Sequence, residues 1–175
     1  MTGNEKRGAG LVASRVTTQH MSIATGLTYD GLVRGFEREL GRWDLAAADR
    51  LLNSNASWSE VEREVDRMAG PRGLMIFTRI NQGEIISLSG ESKRCSLYLV
   101  GNPVIANKII GIDIRGSFYV PFRVCLYDSI TAGSAVISYD RPSSLLAGLE
   151  QPELNKIGIM LDEKIDGVAN ALRKT

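Results

Sequence analysis

The chain has 175 residues, a formal net charge of +1 and a hydrophobic fraction of 43%. Such a near-neutral balance gives no basic field, which argues against non-specific binding to nucleic acid or to an anionic membrane as the main role. This length and hydrophobic fraction predict one domain with a hydrophobic core.

Residues 1–14 are rich in glycine and lack the apolar core of a secretory signal, so they are predicted to form a disordered tail before a single domain at 15–175. The two cysteines, Cys95 and Cys125, belong to no Cys-x-x-Cys or Cys/His cluster. They are interpreted as buried free thiols, and a disulfide between them requires neighbouring strands. A cytoplasmic location is therefore expected.

An edge strand is predicted over Arg15 to Thr25, where polar and apolar residues alternate. It contains His20, the only histidine of the chain. Because no second histidine, cysteine or carboxylate lies close in sequence, no metal site is expected, and a surface or hydrogen-bonded role is favoured over catalysis. A Ser-His-Asp arrangement stays open, although no Gly-x-Ser-x-Gly turn supports it.

Three helices are predicted next. The first, Tyr29 to Leu40, begins after a threonine that suits the N-cap position. The other two form a helical insert at about 41–70, and the second of them begins at a Ser-Trp-Ser-Glu capping box. Trp43 and Trp58 are interpreted as anchors of this insert, with a clamp for a ligand or for a partner helix as the alternative.

Three strands and a short helix are predicted in the middle of the chain. The strands cover Leu74 to Ile80, Glu84 to Leu88 and Cys95 to Val100. The helix covers Val104 to Ile110, because Asn102 suits the N-cap and a proline follows it. An anion held by the free amides at this helix start is the functional alternative.

A period-2 pattern predicts a strand from Phe118 to Tyr127 and a partner strand from Ala135 to Asp140. The polar face of the first strand carries Tyr119 and Arg123. An arginine between tyrosines offers a guanidinium group and aromatic walls to an acidic or planar ligand. The alternative is that Arg123 pairs with Asp140 across the sheet.

The strongest helical pattern runs from Glu153 to Arg173 and has one continuous apolar stripe. Such a stripe either covers a sheet or forms a dimer seam.

Three motifs follow one another in the second half of the chain: Leu99-Val100-Gly101-Asn102-Pro103, Val120-Pro121-Phe122-Arg123-Val124 and Ser138-Tyr139-Asp140-Arg141-Pro142-Ser143-Ser144. Together they resemble the signatures of the domain of unknown function 302 family, and the similarity runs from about Val16 to the C-terminus. The resemblance implies a small bacterial or archaeal α+β domain, commonly dimeric, with no established activity. Many members have an Asp-His pair where this chain has Asn81-Gln82, so no acid–base or metal role is expected there.

These elements predict an α+β fold with a single mostly antiparallel sheet, helices packed on a face, and the order β-α-(αα insert)-β-β-β-α-β-β-α. The expected function is a dimeric small-molecule-binding or interaction module without catalysis, cofactor or metal. Its ligand-binding residues are predicted to be Tyr98, Asn102, Tyr119, Arg123 and Asp140.

The alternative is an enzyme in which Asp140 or Asp113 acts as base and Arg123 orients an acidic substrate. A third hypothesis makes the insert with Trp43 and Trp58 a docking surface for another protein. The expected partners are a second copy of the chain and an unidentified small molecule, with no nucleic acid and no membrane.

Overall fold

The computed structural model describes residues 15–173; the tail predicted at 1–14 lies outside this range. Six strands form one sheet in the order β1-β6-β5-β4-β3-β2. Four of the strand pairs are antiparallel, and the short β2 runs parallel to β3. The prediction of an α+β fold with one mostly antiparallel sheet is confirmed. The strands are β1 His20–Ala24, β2 Gly41–Arg42, β3 Met75–Ile80, β4 Cys95–Gly101, β5 Phe122–Ser129 and β6 Ser134–Asp140.

Local sequence signals explain where several helices begin. Thr28 caps the first helix by accepting a hydrogen bond from Gly31 N–H, and Ser57 and Glu60 form both halves of the predicted capping box. Two 3-10 helices lie at Ile114–Phe118 and Ala147–Leu149. The α-helices of the described chain are α1 Tyr29–Glu39, α2 Leu45–Asn53, α3 Trp58–Met68, α4 Gln82–Ser87, α5 Pro103–Ile112, α6 Pro142–Leu146 and α7 Pro152–Ala171.

The main core lies between one face of the sheet and the helices α1, α5, α6 and α7. The apolar stripe of α7 packs into it, with Leu154, Ile165 and Val168 fully buried. Of the two alternatives for this stripe, covering the sheet is therefore the one observed. Between residues 15 and 173, no helix has the length and apolar character needed to cross a membrane.

The insert packs against the opposite face of the sheet. Consecutive residues of a strand point to opposite faces, and Met75 and Ile76 are consecutive in β3. Ile76 belongs to the main core, whereas Met75 packs in a second cluster with Val65 and Met68 of α3. The helices α2 and α3 thus cover the β3 end of the face that the other helices leave open.

Two glycines close the base of the insert. The N–H groups of Gly41 and Gly70 both donate to the carbonyl of Leu74, at 3.0 Å each. A Cβ atom on Gly41 would lie 1.8 Å from the Met68 carbonyl oxygen, so only glycine permits this approach. Gly41 also begins β2, a short edge strand that the sequence pattern did not predict.

The strand predicted at Glu84 to Leu88 is wrong, because these residues belong to α4 and its end. Asn81 caps this helix by accepting a hydrogen bond from Glu84 N–H at 3.4 Å. This amide belongs to the first residue of the Asn81-Gln82 pair. Its observed role here is structural.

The strand predicted from Phe118 begins four residues later, at Phe122. Asp113 caps the 3-10 helix that ends at Phe118, and a turn with a cis Val120–Pro121 peptide follows. Pro121 has no N–H to donate to a sheet. Phe118 thus lies before the strand and not within it as predicted, and its side chain is 86% exposed.

Candidate functional site

An apolar pocket of about 370 Å³ opens between the insert, β3 and α5. Its walls are aromatic on the insert side and mostly aliphatic on the other. The walls include Trp43, Trp58, Phe77, Ala106, Ile110 and Pro121. A concave apolar site of this size accepts a small organic molecule.

The two tryptophans of the insert have different roles. Trp43 stacks on Phe77 with a centroid distance of 5.4 Å and an interplanar angle of 29°, and it packs against the second cluster. It therefore anchors the insert, as interpreted from the sequence. Trp58, the first residue of α3, is 44% exposed and forms an accessible wall of the pocket.

Asn102 lies in the pocket wall, but its side chain serves the fold. Its Oδ1 accepts hydrogen bonds from Val104 N–H at 2.8 Å and Ile105 N–H at 3.2 Å. Its Nδ2 donates to the Gly73 carbonyl at 2.9 Å. The N–H groups at the start of α5 are thus occupied by the cap of this helix. None of them is free to bind an anion, which was the alternative predicted for this helix start.

A second cleft of about 330 Å³ adjoins the apolar pocket. Pro121 lines both, and Phe118 and Tyr119 meet edge to face in the cleft wall, with centroids 5.3 Å apart. Arg123 also lines this cleft, and its side chain is 71% exposed. Its Nη2 atom lies 4.0 Å from Asp140 Oδ2, and within residues 15–173 it makes no hydrogen bond. The donors of the guanidinium group are therefore not used by the described residues.

The structure brings together three of the predicted site residues, namely Tyr119, Arg123 and Asp140. Tyr98 lies apart from them, because it points into the main core and is fully buried. Its hydroxyl donates to Glu37 Oε1 at 3.1 Å, and burial raises its pKa. Arg123 pairs with Leu99 in the register of β4 and β5, so it points to the opposite face from Tyr98.

Asp140 faces His20 across the pair of β1 and β6. Asp140 Oδ1 lies 2.7 Å from His20 Nδ1, and Ser138 Oγ lies 2.8 Å from His20 Nε2. A serine, a histidine and an aspartate are thus connected in series. The spacing of Ser138 and Asp140 on one strand was visible in the sequence, but their pairing with an edge strand about 120 residues earlier was not.

Asp113 is engaged elsewhere. Its carboxylate accepts hydrogen bonds from Arg115 N–H at 2.9 Å and from Arg115 Nη2 at 2.6 Å. These hydrogen bonds hold the pKa of Asp113 below its usual value. Asp113 lines neither the apolar pocket nor the second cleft, and its observed role is to cap the 3-10 helix.

The third sequence motif joins β6 and α6 to α7. Tyr139 Oη donates to Asp166 at 2.6 Å, and Arg141 Nη2 donates to the same carboxylate at 2.7 Å. Ser143 donates to the buried Asp162 from its N–H at 3.0 Å and from its hydroxyl at 2.5 Å. Burial, and after it the bond to Asp166, raises the pKa of Tyr139. The motif is explained as a structural clamp.

The two cysteines are free and half-buried on neighbouring strands. Cys95 pairs with Tyr127 and Cys125 pairs with Leu97, so the thiols are diagonal neighbours on the open face rather than directly opposed. Burial raises the pKa of Cys125, and the nearby Cys95 adds to this shift. Among the described residues, no group of three or more His, Cys, Asp or Glu side chains is placed to hold a metal ion.

Comparison with known proteins places the chain in a family. The family model for the domain of unknown function DUF302 matches residues 52–172. A crystal structure of an uncharacterized conserved DUF302 protein from Bacillus stearothermophilus is similar, with a TM-score of 0.62 and 13% sequence identity over 88% of this chain and 98% of that chain. At this identity the structural likeness shows the fold alone. No curated protein matches the sequence. Because the family model covers more than half of the chain, the protein belongs to the DUF302 family.

Proposed function

We propose that the protein is a small-molecule-binding module whose ligand combines a flat apolar body with an acidic group. The observation that carries this proposal is the apolar pocket of about 370 Å³ beside the Arg123 cleft. Apolar walls supply affinity, and a small number of placed polar groups fix the orientation of the ligand.

The shape of the walls favours a planar ligand. Trp43 and Phe77 are already stacked, and the accessible side of the pocket is formed by Trp58. A conjugated ring gains most by packing against such aromatic faces. The ligand's acidic group reaches Arg123 past Pro121, the residue shared by the two spaces. A carboxylate or sulfonate is well suited to the fork of donors of a guanidinium group.

The probe 1-anilinonaphthalene-8-sulfonate tests this proposal, because it joins flat rings to a single sulfonate. We expect a saturable rise in fluorescence with one molecule bound per chain. Trp58→Ala removes one wall and is expected to weaken binding about tenfold, which equals about 1.4 kcal/mol. The control is Leu52→Ala, a residue of the same insert that is 75% exposed and outside the pocket wall. Equal affinities for all three proteins would contradict the site assignment.

We further propose that two copies of the chain associate through the 3-10 helix beside the cleft. Ile114 and Phe118 are 70% and 86% exposed, so the 3-10 helix carries a large exposed apolar side chain at each end. Phe118 also lines the cleft, so a second copy seated here would shield both apolar side chains and narrow the mouth of the ligand site. The stripe of α7 offers no alternative, because the core of its own chain covers it.

Native mass spectrometry measures the oligomeric state, and it detects any small molecule that remains bound after purification. The expected mass is that of two chains. Phe118→Glu places a charge in the interface and is expected to give single chains, whereas Ile130→Glu, at a fully exposed position in the turn after β5, leaves the dimer intact. A single-chain mass for the unmodified protein at micromolar concentration would refute the dimer.

A further inference from the structure

We propose that Ser138 is an activated nucleophile that takes the acyl group of small esters, which gives the open face of the β1–β6 pair an esterase-type activity. The residues that carry it are Ser138, His20 and Asp140, connected in series at 2.8 and 2.7 Å. None of these three residues lines the apolar pocket, although Arg123 of the adjoining cleft lies 4.0 Å from Asp140.

The hydrogen-bond partners assign the proton on the imidazole. A carboxylate only accepts hydrogen bonds, so the His20 Nδ1 that faces Asp140 carries the hydrogen. In the neutral ring, Nε2 then has a lone pair that points at the Ser138 hydroxyl. This is the arrangement in which histidine acts as general base and aspartate holds the ring in the required tautomer.

The two strands hold the three groups in place. Ser138 and Asp140 are two residues apart in β6 and share a face, and His20 is directly opposite Asp140 in the register. Ser22 lies opposite Ser138, with the two hydroxyl oxygens 3.2 Å apart. The Met21 carbonyl, at 3.1 Å, competes for the Ser138 proton. If Ser22 donates to Ser138, the Ser138 proton has two acceptors left, and His20 Nε2 at 2.8 Å is closer than the Met21 carbonyl at 3.1 Å.

The reaction is an acyl transfer with water as the final acceptor. A bond forms between Ser138 Oγ and the ester carbonyl carbon while the hydroxyl proton passes to His20 Nε2. The bond to the leaving alkoxide then breaks, and the alkoxide takes that proton. Water repeats the sequence on the acyl-serine, giving its proton to His20, and releases the carboxylic acid and free Ser138.

Arg123 is the group that can balance the developing negative charge. Arg123 lies on β5, opposite Leu99 of β4, and points to the same face of the sheet as Asp140. Its Nη2 atom lies 4.0 Å from Asp140 Oδ2. The backbone of β6 is paired on both sides, with β1 and β5, so its amides are committed to the sheet. Stabilisation of the oxyanion therefore depends on one exposed cation instead of two fixed amides, which predicts a slow reaction.

Exposure defines the class of ester. Ser138 is only 6% exposed, whereas the side chain of His20 is 60% exposed. A substrate must approach along the edge of the imidazole ring, and only a short acyl group such as acetyl reaches the hydroxyl. Because the oxyanion is weakly stabilised, the alcohol must be a good leaving group, such as a phenol.

The test combines turnover of p-nitrophenyl acetate with labelling by methanesulfonyl fluoride, whose methyl group is no larger than that of an acetyl group, followed by intact mass and peptide mapping. We expect one adduct on Ser138, loss of both signals in Ser138→Ala, and at least a hundredfold slower labelling in His20→Asn. The control is Ser134→Ala, because Ser134 lies on the same face of β6 without a histidine beside it. His20 is exposed, so its variant reports on the activity even if Ser138→Ala disturbs the sheet.

An unlabelled wild-type chain, an adduct on another residue, or equal labelling of His20→Asn and wild type would each overturn the inference. Binding of the fluorescent sulfonate probe is measured in the same variants. Its affinity is expected to stay unchanged in His20→Asn, so failure of the esterase and failure of the binding site remain distinguishable.

Discussion

Two arginines of the sequence motifs, Arg141 and Arg123, differ in how firmly carboxylates hold their side chains. The side chain of Arg141 is 26% exposed and lies 3.5 Å from Asp162 and 2.7 Å from Asp166. The side chain of Arg123 is 71% exposed, and its ion-pair partner, Asp140, is 4.0 Å away. The two terminal nitrogens of Arg141 are thus paired, although its buried Nε has no partner among the described residues. An arginine held by two carboxylates in this way stabilises the fold, whereas one with unused donors is able to recognise a ligand.

The same contrast extends to the two faces of the sheet. On the covered face, buried polar groups such as Ser96, Tyr98 and Asp162 have hydrogen-bond partners within the chain. On the other face, the apolar pocket, Arg123 and His20 remain accessible to a ligand. Substitutions on the covered face are therefore expected to lower stability strongly. Substitutions on the other face are expected to change binding with little change in stability.

The largest effect is expected for Asp162→Ala. The change leaves the N–H and hydroxyl of Ser143 and one side of Arg141 without their acceptor, in a place where Asp162 is 5% exposed. Removing one partner of such a buried group costs about 3 kcal/mol in the free energy of unfolding. Urea denaturation measures it against Glu163→Ala, the exposed neighbour on α7. A loss below about 1 kcal/mol would contradict the clamp.

A smaller loss, about 2 kcal/mol, is expected for Asn102→Ala. About half of this loss in the free energy of unfolding comes from the missing N-cap of α5. The other half comes from the Gly73 carbonyl, which loses its hydrogen-bond donor. Asn107→Ala, one turn further along the same helix and exposed, serves as the control in thermal or urea unfolding. If both variants were equally stable, the structural role assigned to Asn102 would be incorrect.

Tyr139→Phe is expected to cost about 1 kcal/mol at neutral pH, because Asp166 loses a donor. The raised pKa of Tyr139 adds a pH signature. Above about pH 10, the phenol ionises in the unfolded chain but stays protonated in the folded one, so stability falls as the pH rises. The variant lacks this contribution, and its disadvantage should shrink between pH 9 and 11. Tyr119→Phe is the matched control, and a constant gap between Tyr139→Phe and wild type would argue against the raised pKa.

Local signals predicted most of the fold, and one failure came from a local cap that the hydrophobic period masks. The caps at Thr28, Ser57 and Asn102 act within a few residues and were predicted correctly. The alternation that begins at Phe118 has the period of a strand, but Phe118 ends the 3-10 helix capped by Asp113, and the strand begins only at Phe122. The hydrophobic period of a sequence does not by itself reveal such a cap.

For the candidate site, the sequence indicated Tyr119, Arg123 and Asp140 because they share a face of predicted strands. It offered Trp43 and Trp58 as a ligand clamp only as an alternative, and it did not indicate that Trp58 faces α5, since that contact requires the insert to fold back on the far side of the sheet. The connection of Ser138, His20 and Asp140 required the register of β1 on β6, which no local pattern contains.

The smallest effect on stability, within about 0.5 kcal/mol of wild type, is expected for Arg123→Ala, because an exposed arginine with a partner at 4.0 Å contributes little to folding. Binding should change far more. Without the guanidinium group, the sulfonate of 1-anilinonaphthalene-8-sulfonate loses its cation, and its affinity should fall about tenfold. The uncharged probe N-phenyl-1-naphthylamine should bind both proteins equally, because it uses only the apolar pocket. If both probes lost affinity equally, Arg123 would act on the shape of the pocket and not on the charge of the ligand.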